Sequence, residues 1–223
     1  MTQVTTAVAA ERLGVSQRQV QRLIEARELP ATRTAGDAWV VDALAVNAMA
    51  RTRPARGRPW SPATAWAALW RLSGLEVDWL DRRTTRRLDD RLASIDAEEL
   101  VHATRRRAVV QHYRASGSFL ADLDALVIRS GARAMERSRF GMDEDVARID
   151  GYCTAQAADR LARDFHLIED PQGNVTLRVV AMPTTIIEGR EAMPVAVVAA
   201  DLAESLEVRE RSAGLRVLED LLR

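Results

Sequence analysis

The stretch AAERLGVSQRQVQRLIEARELP, residues 9–30, holds two short helical patterns with Gly14 between them. Glycine accepts the left-handed backbone conformation that a tight turn after a helix requires. Ser16 follows as a cap for the second helix, which is predicted to run to about Arg27. Ala10 supplies a small side chain where the two helices would cross. This spacing predicts a helix-turn-helix.

Both helices are predicted to bury one face. The apolar positions that recur at helical spacing are Val8, Ala9, Leu13, Val20, Leu23 and Ile24. The outward positions of the second helix carry amides and guanidinium groups, at Gln17, Arg18, Gln19, Gln21 and Arg22. Because such side chains bond to base edges and phosphates, the second helix is predicted to contact DNA. The alternative is a helical hairpin that serves only for packing.

A wing is predicted directly after the second helix. Residues 31–41, ATRTAGDAWVV, form two short extended pieces around a turn at 35–37. Arg33 lies near the base of this hairpin, and Trp39 is expected to pack it on the helices. Asp42 is then expected to cap a third short helix, ALAVNAMAR.

Residues 4–50 resemble the winged helix-turn-helix of the excisionase and MerR-like families. The resemblance rests on VAAERLGVSQRQVQRLIEARELPA, the wing, and WVVDALAV. It implies that the second helix enters the major groove, where Arg can bind guanine and Gln adenine. The predicted DNA contacts of this domain are Ser16, Gln17, Arg18, Gln19, Gln21, Arg22 and Arg33.

A basic arm separates two predicted domains. We place a winged helix-turn-helix domain at 1–52, a basic linker at 53–60 and a second domain at 61–223. The arm is expected either to bind phosphates or the minor groove, or to be a solvated linker. Its candidate DNA contacts are Arg51, Arg53, Arg56 and Arg58.

Arginine supplies all 32 basic residues of the chain, and 32 acidic residues balance them. Catalysis through a lysine Schiff base or a Walker-type phosphate loop is thereby excluded. Residues 1–58 carry a net charge of +4, residues 59–139 carry +3 and residues 140–223 carry −7. A basic front and an acidic back suit a protein that contacts nucleic acid with one end only.

Cysteine content and hydropathy narrow the class of protein further. A single cysteine, Cys153, excludes an internal disulfide, and it shares no metal-ligand spacing with His102, His112 or His166. No apolar run approaches the roughly 20 residues of a membrane helix, and the N-terminus lacks a signal-peptide pattern. We therefore expect a cytoplasmic protein with no metal, no cofactor and no membrane partner.

Residues 61–223 are predicted to form a larger mixed α+β domain, in which helices come first and a small sheet follows. Three apolar residues of its first helix are expected in the core: Trp66, Leu69 and Trp70. A second helix, DRRTTRRLDDRLASI, is expected to be capped by Thr84 or Thr85. Its alternating Arg and Asp residues are expected to form a salt-bridged, solvated face.

The sheet is predicted from runs in the second half of the chain. RRAVVQHYRAS, LVIRSG and VARIDGYCT are expected to be strands. HLIED-PQGN-VTLRVVAM is expected to be a hairpin, and MPVAVVAA a last buried strand. Asp201 is expected to cap LAESL, ahead of a closing amphipathic helix with Leu215, Leu218 and Leu222 inward.

Two features suggest catalysis without completing a known site. MDEDVARID, residues 142–150, gathers Asp143, Glu144, Asp145 and Asp150, and clustered carboxylates can bind Mg²⁺. Nothing elsewhere completes a nucleotidyltransferase-like pattern, so a solvated acidic loop is expected. Cys153 is expected to be simply buried. We therefore predict that the chain is not an enzyme.

The whole chain also resembles the AbiEi-type antitoxins of type IV toxin–antitoxin systems, particularly actinobacterial members. Besides the N-terminal domain, the resemblance rests on RRTTRRLDDRLA, RRRAVVQHYRASGSFLADLDALVIRSGARA and AVVAADLAESLEVRERSAGLRVLEDLLR. It implies a repressor that binds inverted repeats in its own operon promoter and counters a nucleotidyltransferase toxin. A homodimer on the DNA is one arrangement that this implies. Asp201, Arg209 and Arg211 match the ending; alternatively they are helix caps and surface ion pairs.

Two other functions remain as alternatives. One is an effector-sensing regulator or recombination accessory protein of a mobile element, whose second domain binds a small molecule or an integrase. The other is a protein-interaction module that has lost DNA binding.

Overall fold

The computed structural model describes residues 3–13, 15–25, 28–34, 36, 38–43, 45–46, 49, 58–135, 137–141, 147–180, 182 and 186–223. Contacts divide the chain into two compact units, Met1–Ala55 and Arg56–Arg223. No helix within the described ranges is both long enough and apolar enough to cross a membrane.

In the elements that the structure describes in full, the first unit packs two helices against a three-stranded sheet. These elements in chain order are β1 (Gln3–Thr5), α1 (Thr6–Leu13), α2 (Gln17–Glu25), β2 (Ala31–Arg33) and β3 (Trp39–Asp42). The predicted wing is confirmed, because β2 and β3 pair antiparallel. Strand β1 was not predicted; it pairs with the other edge of β3 and makes the sheet order β1-β3-β2.

The second unit mixes helices with a five-stranded sheet, so the predicted α+β class is confirmed. Its helices are α3 (Pro62–Leu72), α4 (Arg82–Leu92), α5 (Ala97–Thr104), α6 (Leu120–Asp124), α7 (Arg137–Phe140), α8 (Ala155–Asp164), α9 (Val195–Ala203) and α10 (Val208–Leu221). Its strands are β4 (Ala108–Arg114), β5 (Ile128–Arg129), β6 (Ile149–Cys153), β7 (Ile168–Glu169) and β8 (Val175–Val180). The strand order is β5-β6-β8-β4-β7.

Alternating residues of the sheet enter two separate apolar clusters. Tyr113, Ile149 and Leu177 lie in the cluster that includes Leu161 of α8. Tyr152 lies in the other cluster, which includes α3, α9 and α10. Because successive strand residues point to opposite faces, both faces of this sheet are covered. The predicted burial of Trp66, Leu69 and Trp70 is confirmed.

Capping side chains begin several helices of the second unit. Ser61, Asp96 and Thr154 each accept a hydrogen bond from the backbone N–H three residues on. The predicted cap of α4 was wrong, because Asp81 Oδ1 accepts from the backbone N–H groups of Arg83 and Thr84, both at 2.9 Å. The stretch DRRTT offers three residues with capping side chains, and the helix begins after the first of them.

The predicted hairpin over 166–182 was wrong, because β4 lies between its two strands. β8 pairs with one edge of β4 and β7 with the other. The connecting segment crosses the end of β4, where a Cβ on Gly173 would collide with the backbone of Tyr113. Asn174 holds the crossing by exchanging two hydrogen bonds with the backbone of Ala115, at 2.9 and 3.1 Å.

The predicted last strand, MPVAVVAA, was also wrong, because it belongs to helix α9. A short apolar run reads the same in a strand and in a helix buried on all sides. Here small residues let the helix pack closely: Gly214 of α10 lies against the backbone of Ala199 and Ala203. Asp201 consequently lies within α9 and caps no helix; its side chain is fully buried.

Candidate nucleic-acid interface

Helices α1 and α2 form the predicted helix-turn-helix. Ala9, Ala10 and Leu13 of α1 are buried together with Val20 and Ile24 of α2. The backbone N–H of Val15 donates to the carbonyl of Ala10 at 3.0 Å and closes the turn after α1. Val15 itself is half-buried against this core. The proposed turn residue, Gly14, lies outside the described residues, as does the predicted end of α2 at Arg27.

Ser16 and Gln19 form a reciprocal capping box at the start of α2. The backbone N–H of Gln19 donates to Ser16 Oγ at 3.3 Å, and the backbone N–H of Ser16 donates to Gln19 Oε1 at 3.3 Å. The predicted cap is therefore confirmed. The spacing Ser-x-x-Gln is the sequence signature of this box and could have identified the second partner. The carboxamide of Gln19 has a structural partner, and its predicted DNA contact stays a prediction.

The remaining polar side chains of α2 form one exposed face. Gln17, Arg18, Gln21 and Arg22 are all exposed, and they make no hydrogen bond or ion pair to any described residue. At 3.6 residues per turn these four positions span an arc of roughly 140°. The buried Val20 and Ile24 lie outside this arc, on the adjoining side of the helix. The core therefore fixes which face α2 presents to a ligand.

The glutamines and the arginines of this face form two parallel rows along the helix. Gln17 and Gln21 lie one turn apart, as do Arg18 and Arg22, a rise of about 6 Å in each case. Amides and guanidinium groups can each bond to a base edge with two hydrogen bonds. The face can therefore bind bases in the major groove, or phosphates that border it.

The wing carries one of the predicted contacts. The Arg33 guanidinium carbon lies 4.9 Å from the centre of the Trp39 ring, a distance at which a cation interacts with an aromatic face. Asp42 Oδ1 accepts from the backbone N–H of Ala45 at 3.0 Å, as expected of a cap. The predicted contacts Arg51, Arg53 and Arg56 lie outside the described residues, and Arg58 is exposed.

A buried ionic cluster joins α9 to the sheet in the second unit, and sequence analysis did not predict it. Arg107 donates to both oxygens of Glu204, at 2.8 and 2.9 Å, and also to the carboxylate of Asp201. Arg178 donates to both oxygens of Asp150, at 2.7 and 3.0 Å. The Arg178 guanidinium also lies 3.0 Å from Asp201 Oδ1.

Two hydroxyl groups complete the cluster around Asp201. Tyr152 donates to Asp201 Oδ1 at 2.9 Å, and Ser130 donates to Oδ2. Burial raises the pKa of Tyr152 well above its usual value, so this phenol stays protonated and acts as a donor. The cluster thus holds two guanidinium groups, three carboxylates and two hydroxyls, and its members bond to each other.

Of the residues considered for catalysis, those that the structure describes are either paired or buried. Asp150 is paired with Arg178, and Asp143, Glu144 and Asp145 lie outside the described residues. Cys153 is buried, and burial raises the pKa of its thiol to about 11. A thiol in this state is a poor nucleophile, because the thiolate is the reactive form.

Comparisons with known proteins agree with the geometry of the first unit. Residues 4–54 match a family described as a helix-turn-helix domain, and the match is confined to that unit. Searches of curated proteins and of solved structures give no match to the chain. The first unit is therefore a helix-turn-helix domain of the kind that binds DNA.

Proposed function

We propose that this chain, whose first unit is a DNA-binding helix-turn-helix domain, is a sequence-specific regulator that represses its own promoter. One observation carries the proposal: the core orients α2 so that Gln17, Arg18, Gln21 and Arg22 are exposed together without partners among the described residues. Polar side chains that are exposed and form no hydrogen bond or ion pair to a described residue, on the second helix of this motif, are available to bind DNA.

The proposal extends to an antitoxin role for the second unit. It is supported by the resemblance of the segments from Arg82 and from Arg105, and of the C-terminal ending, to AbiEi-type antitoxins. The regulated operon would then encode a nucleotidyltransferase toxin. Inverted repeats at the promoter would be bound by two copies of the helix-turn-helix domain, since a two-fold operator mirrors a protein pair.

We further propose that the second unit acts by binding and catalyses no reaction. In support, the carboxylates and guanidinium groups of the ionic cluster are engaged with each other. The thiol of Cys153 is buried with a raised pKa.

Binding to the upstream region of the gene tests the proposal. The protein is titrated onto that fragment and onto a scrambled fragment at two salt concentrations. We expect preferential binding that survives the higher salt, because phosphate contacts weaken with salt whereas base contacts distinguish the fragments. Equal, salt-sensitive binding to both fragments would refute the sequence-specific regulator.

Single substitutions then test the docking face. Arg18→Ala and Arg22→Ala are each expected to weaken binding by about 1–3 kcal/mol if the residue bonds to a base, with relaxed specificity at that position. If it binds phosphate, affinity falls on both fragments and the salt dependence decreases. Arg160→Ala, an exposed arginine on α8, is the charge-matched control. Unchanged affinity in both α2 variants would rule out this face.

The antitoxin role has a separate readout. The downstream gene is expressed alone and together with the chain from an unrelated promoter, so that repression cannot explain protection. The double variant Arg18→Ala/Arg22→Ala should still protect cells, because neutralisation is assigned to the second unit. A downstream gene that is harmless would refute the toxin–antitoxin assignment and leave the regulator intact.

A further inference from the structure

Helix α4 presents four exposed arginines as a continuous surface. Arg82, Arg83, Arg86 and Arg87, here called the arginine stripe, are all exposed. Leu88 and Leu92 are buried on the other side and fix the orientation of the helix. The positions i, i+1, i+4 and i+5 span an arc of roughly 140° over the first half of α4. Asp90 lies one turn further along the same arc.

The arginine stripe forms no salt bridge in the described part of the chain, contrary to the predicted salt-bridged face. None of its four guanidinium groups has a hydrogen bond or ion pair to any described residue. The neighbouring Asp89 is available on the same helix, yet it pairs with Arg71 of α3. Asp81 uses its carboxylate to cap α4. The stripe therefore keeps its full positive charge.

This placement of charge does not favour the helix. Arginines four residues apart repel each other, as Arg82 and Arg86 do here, and so do Arg83 and Arg87. Cations in the first turn also oppose the helix dipole, whose N-terminal end is positive. The first turn itself holds no acidic residue, so the N-cap Asp81 supplies the carboxylate at this end of the helix, against two cations in the first turn. Since these charges do not stabilise the fold, a ligand outside the protein explains them better.

We propose that the arginine stripe binds the phosphate backbone of the same DNA duplex that the helix-turn-helix domain holds. This inference rests on the proposed function, because the first unit brings the duplex to the chain. Duplex DNA carries one negative charge per about 1.7 Å of its axis, and the guanidinium fork matches phosphate oxygens. A covalently joined second site gains affinity from its high effective concentration once the first site is bound.

Two double substitutions divide the arginine stripe, and a third pair of arginines provides the control. The test variants are R82Q/R86Q and R83Q/R87Q in the full chain. Glutamine is a good helix former, and the substituted positions are exposed, so the fold is expected to be kept. R160Q/R163Q on α8 removes the same charge from exposed arginines that lie next to Asp159 and Asp164 in sequence. Equal thermal midpoints establish that all variants are folded.

The readout is the salt dependence of binding to the upstream and scrambled fragments. Each phosphate contact contributes a slope of about 0.9 to the plot of log affinity against log salt. Each stripe variant is expected to lower that slope by about 1–2 on both fragments, while R160Q/R163Q keeps the wild-type slope. Slopes equal to the control would overturn the proposal and favour an acidic protein as the occupant of the stripe.

The outcomes separate this inference from the proposed function. Specific binding by the wild type with unchanged slopes in the stripe variants overturns only the arginine stripe. Binding without preference for the upstream fragment, but with reduced slopes in the variants, overturns the sequence-specific regulator and supports the stripe. Absence of any binding by the wild type overturns both.

Discussion

Replacing Asp201 by alanine should lower the free energy of unfolding of the second unit more than substitution of an exposed residue does. The carboxylate accepts hydrogen bonds from Arg107, Tyr152 and Ser130, and it lies 3.0 Å from the Arg178 guanidinium. All four of these partners are buried. Removing one member of a buried ionic network leaves its partners without compensation, which costs far more than an exposed pair contributes.

The size of the expected loss follows from the hydrogen bonds that each partner of Asp201 keeps in the variant. Arg107 retains two bonds to Glu204, and Arg178 retains two to Asp150. The two hydroxyl donors lose their acceptor, and each buried unsatisfied donor costs about 1–3 kcal/mol. Together with the lost charge–charge attraction, we expect a loss of about 3–5 kcal/mol in the free energy of unfolding. Asp201→Asn keeps an acceptor oxygen and should lose about half as much.

Urea unfolding followed by tryptophan fluorescence measures the loss. Four of the five tryptophans lie in the second unit, and a Trp39→Phe background removes the signal of the first. Asp220→Ala is the control, because its pair with Arg223 is exposed and is expected to contribute less than about 1 kcal/mol. A loss below about 1 kcal/mol for Asp201→Ala would refute the conclusion that the cluster fastens α9 to the sheet.

Three further predictions concern stability and reactivity. Gly214→Ala should destabilise the second unit, because the new methyl group would collide with the Ala199 carbonyl. The same change normally stabilises a helix interior by about 0.5–1 kcal/mol. Thermal unfolding gives the sign of the effect, and a rise in the midpoint would contradict the close approach of α9 and α10. Ser16→Ala should lower the free energy of unfolding of the first unit by about 1 kcal/mol, because it removes the capping box with Gln19. Loss of the helical circular dichroism signal on heating measures the change, and an unchanged midpoint would show that the cap contributes nothing. Cys153 should react with a thiol reagent at pH 8 only after denaturant is added, since its pKa is about 11 and it is buried; rapid labelling of the native protein would contradict that placement.

The helical state of the run predicted as a last strand and the absence of the predicted hairpin have a common physical cause. The run at 195–200 is apolar throughout, and its preference for helix over strand comes from the small residues that let α10 pack closely. The hairpin expected around 171–174 fails because β4, about 60 residues earlier in the chain, inserts between β7 and β8. In both cases the deciding partner lies far away in sequence, where local patterns carry no information about it.

Features with local causes could be predicted from the chain alone. Ser16, the apolar spacing of Val20 and Ile24, and the turn between α1 and α2 are set by neighbouring residues, and all are visible in residues 9–30. The same holds for the caps Ser61 and Asp96, because a cap acts within one turn of its helix.

The strand order, the helical state of α9 and the ionic cluster depend instead on contacts between residues that are far apart in the chain. Arg107 and Glu204 are 97 residues apart, and Arg107 and Asp201 are 94 apart, so no spacing in the sequence associates them. Folding likewise sets which arginines form ion pairs. Arg71 pairs with Asp89, whereas the arginine stripe pairs with no described carboxylate. Charge pairing depends on distance in space, and folding alone sets that distance.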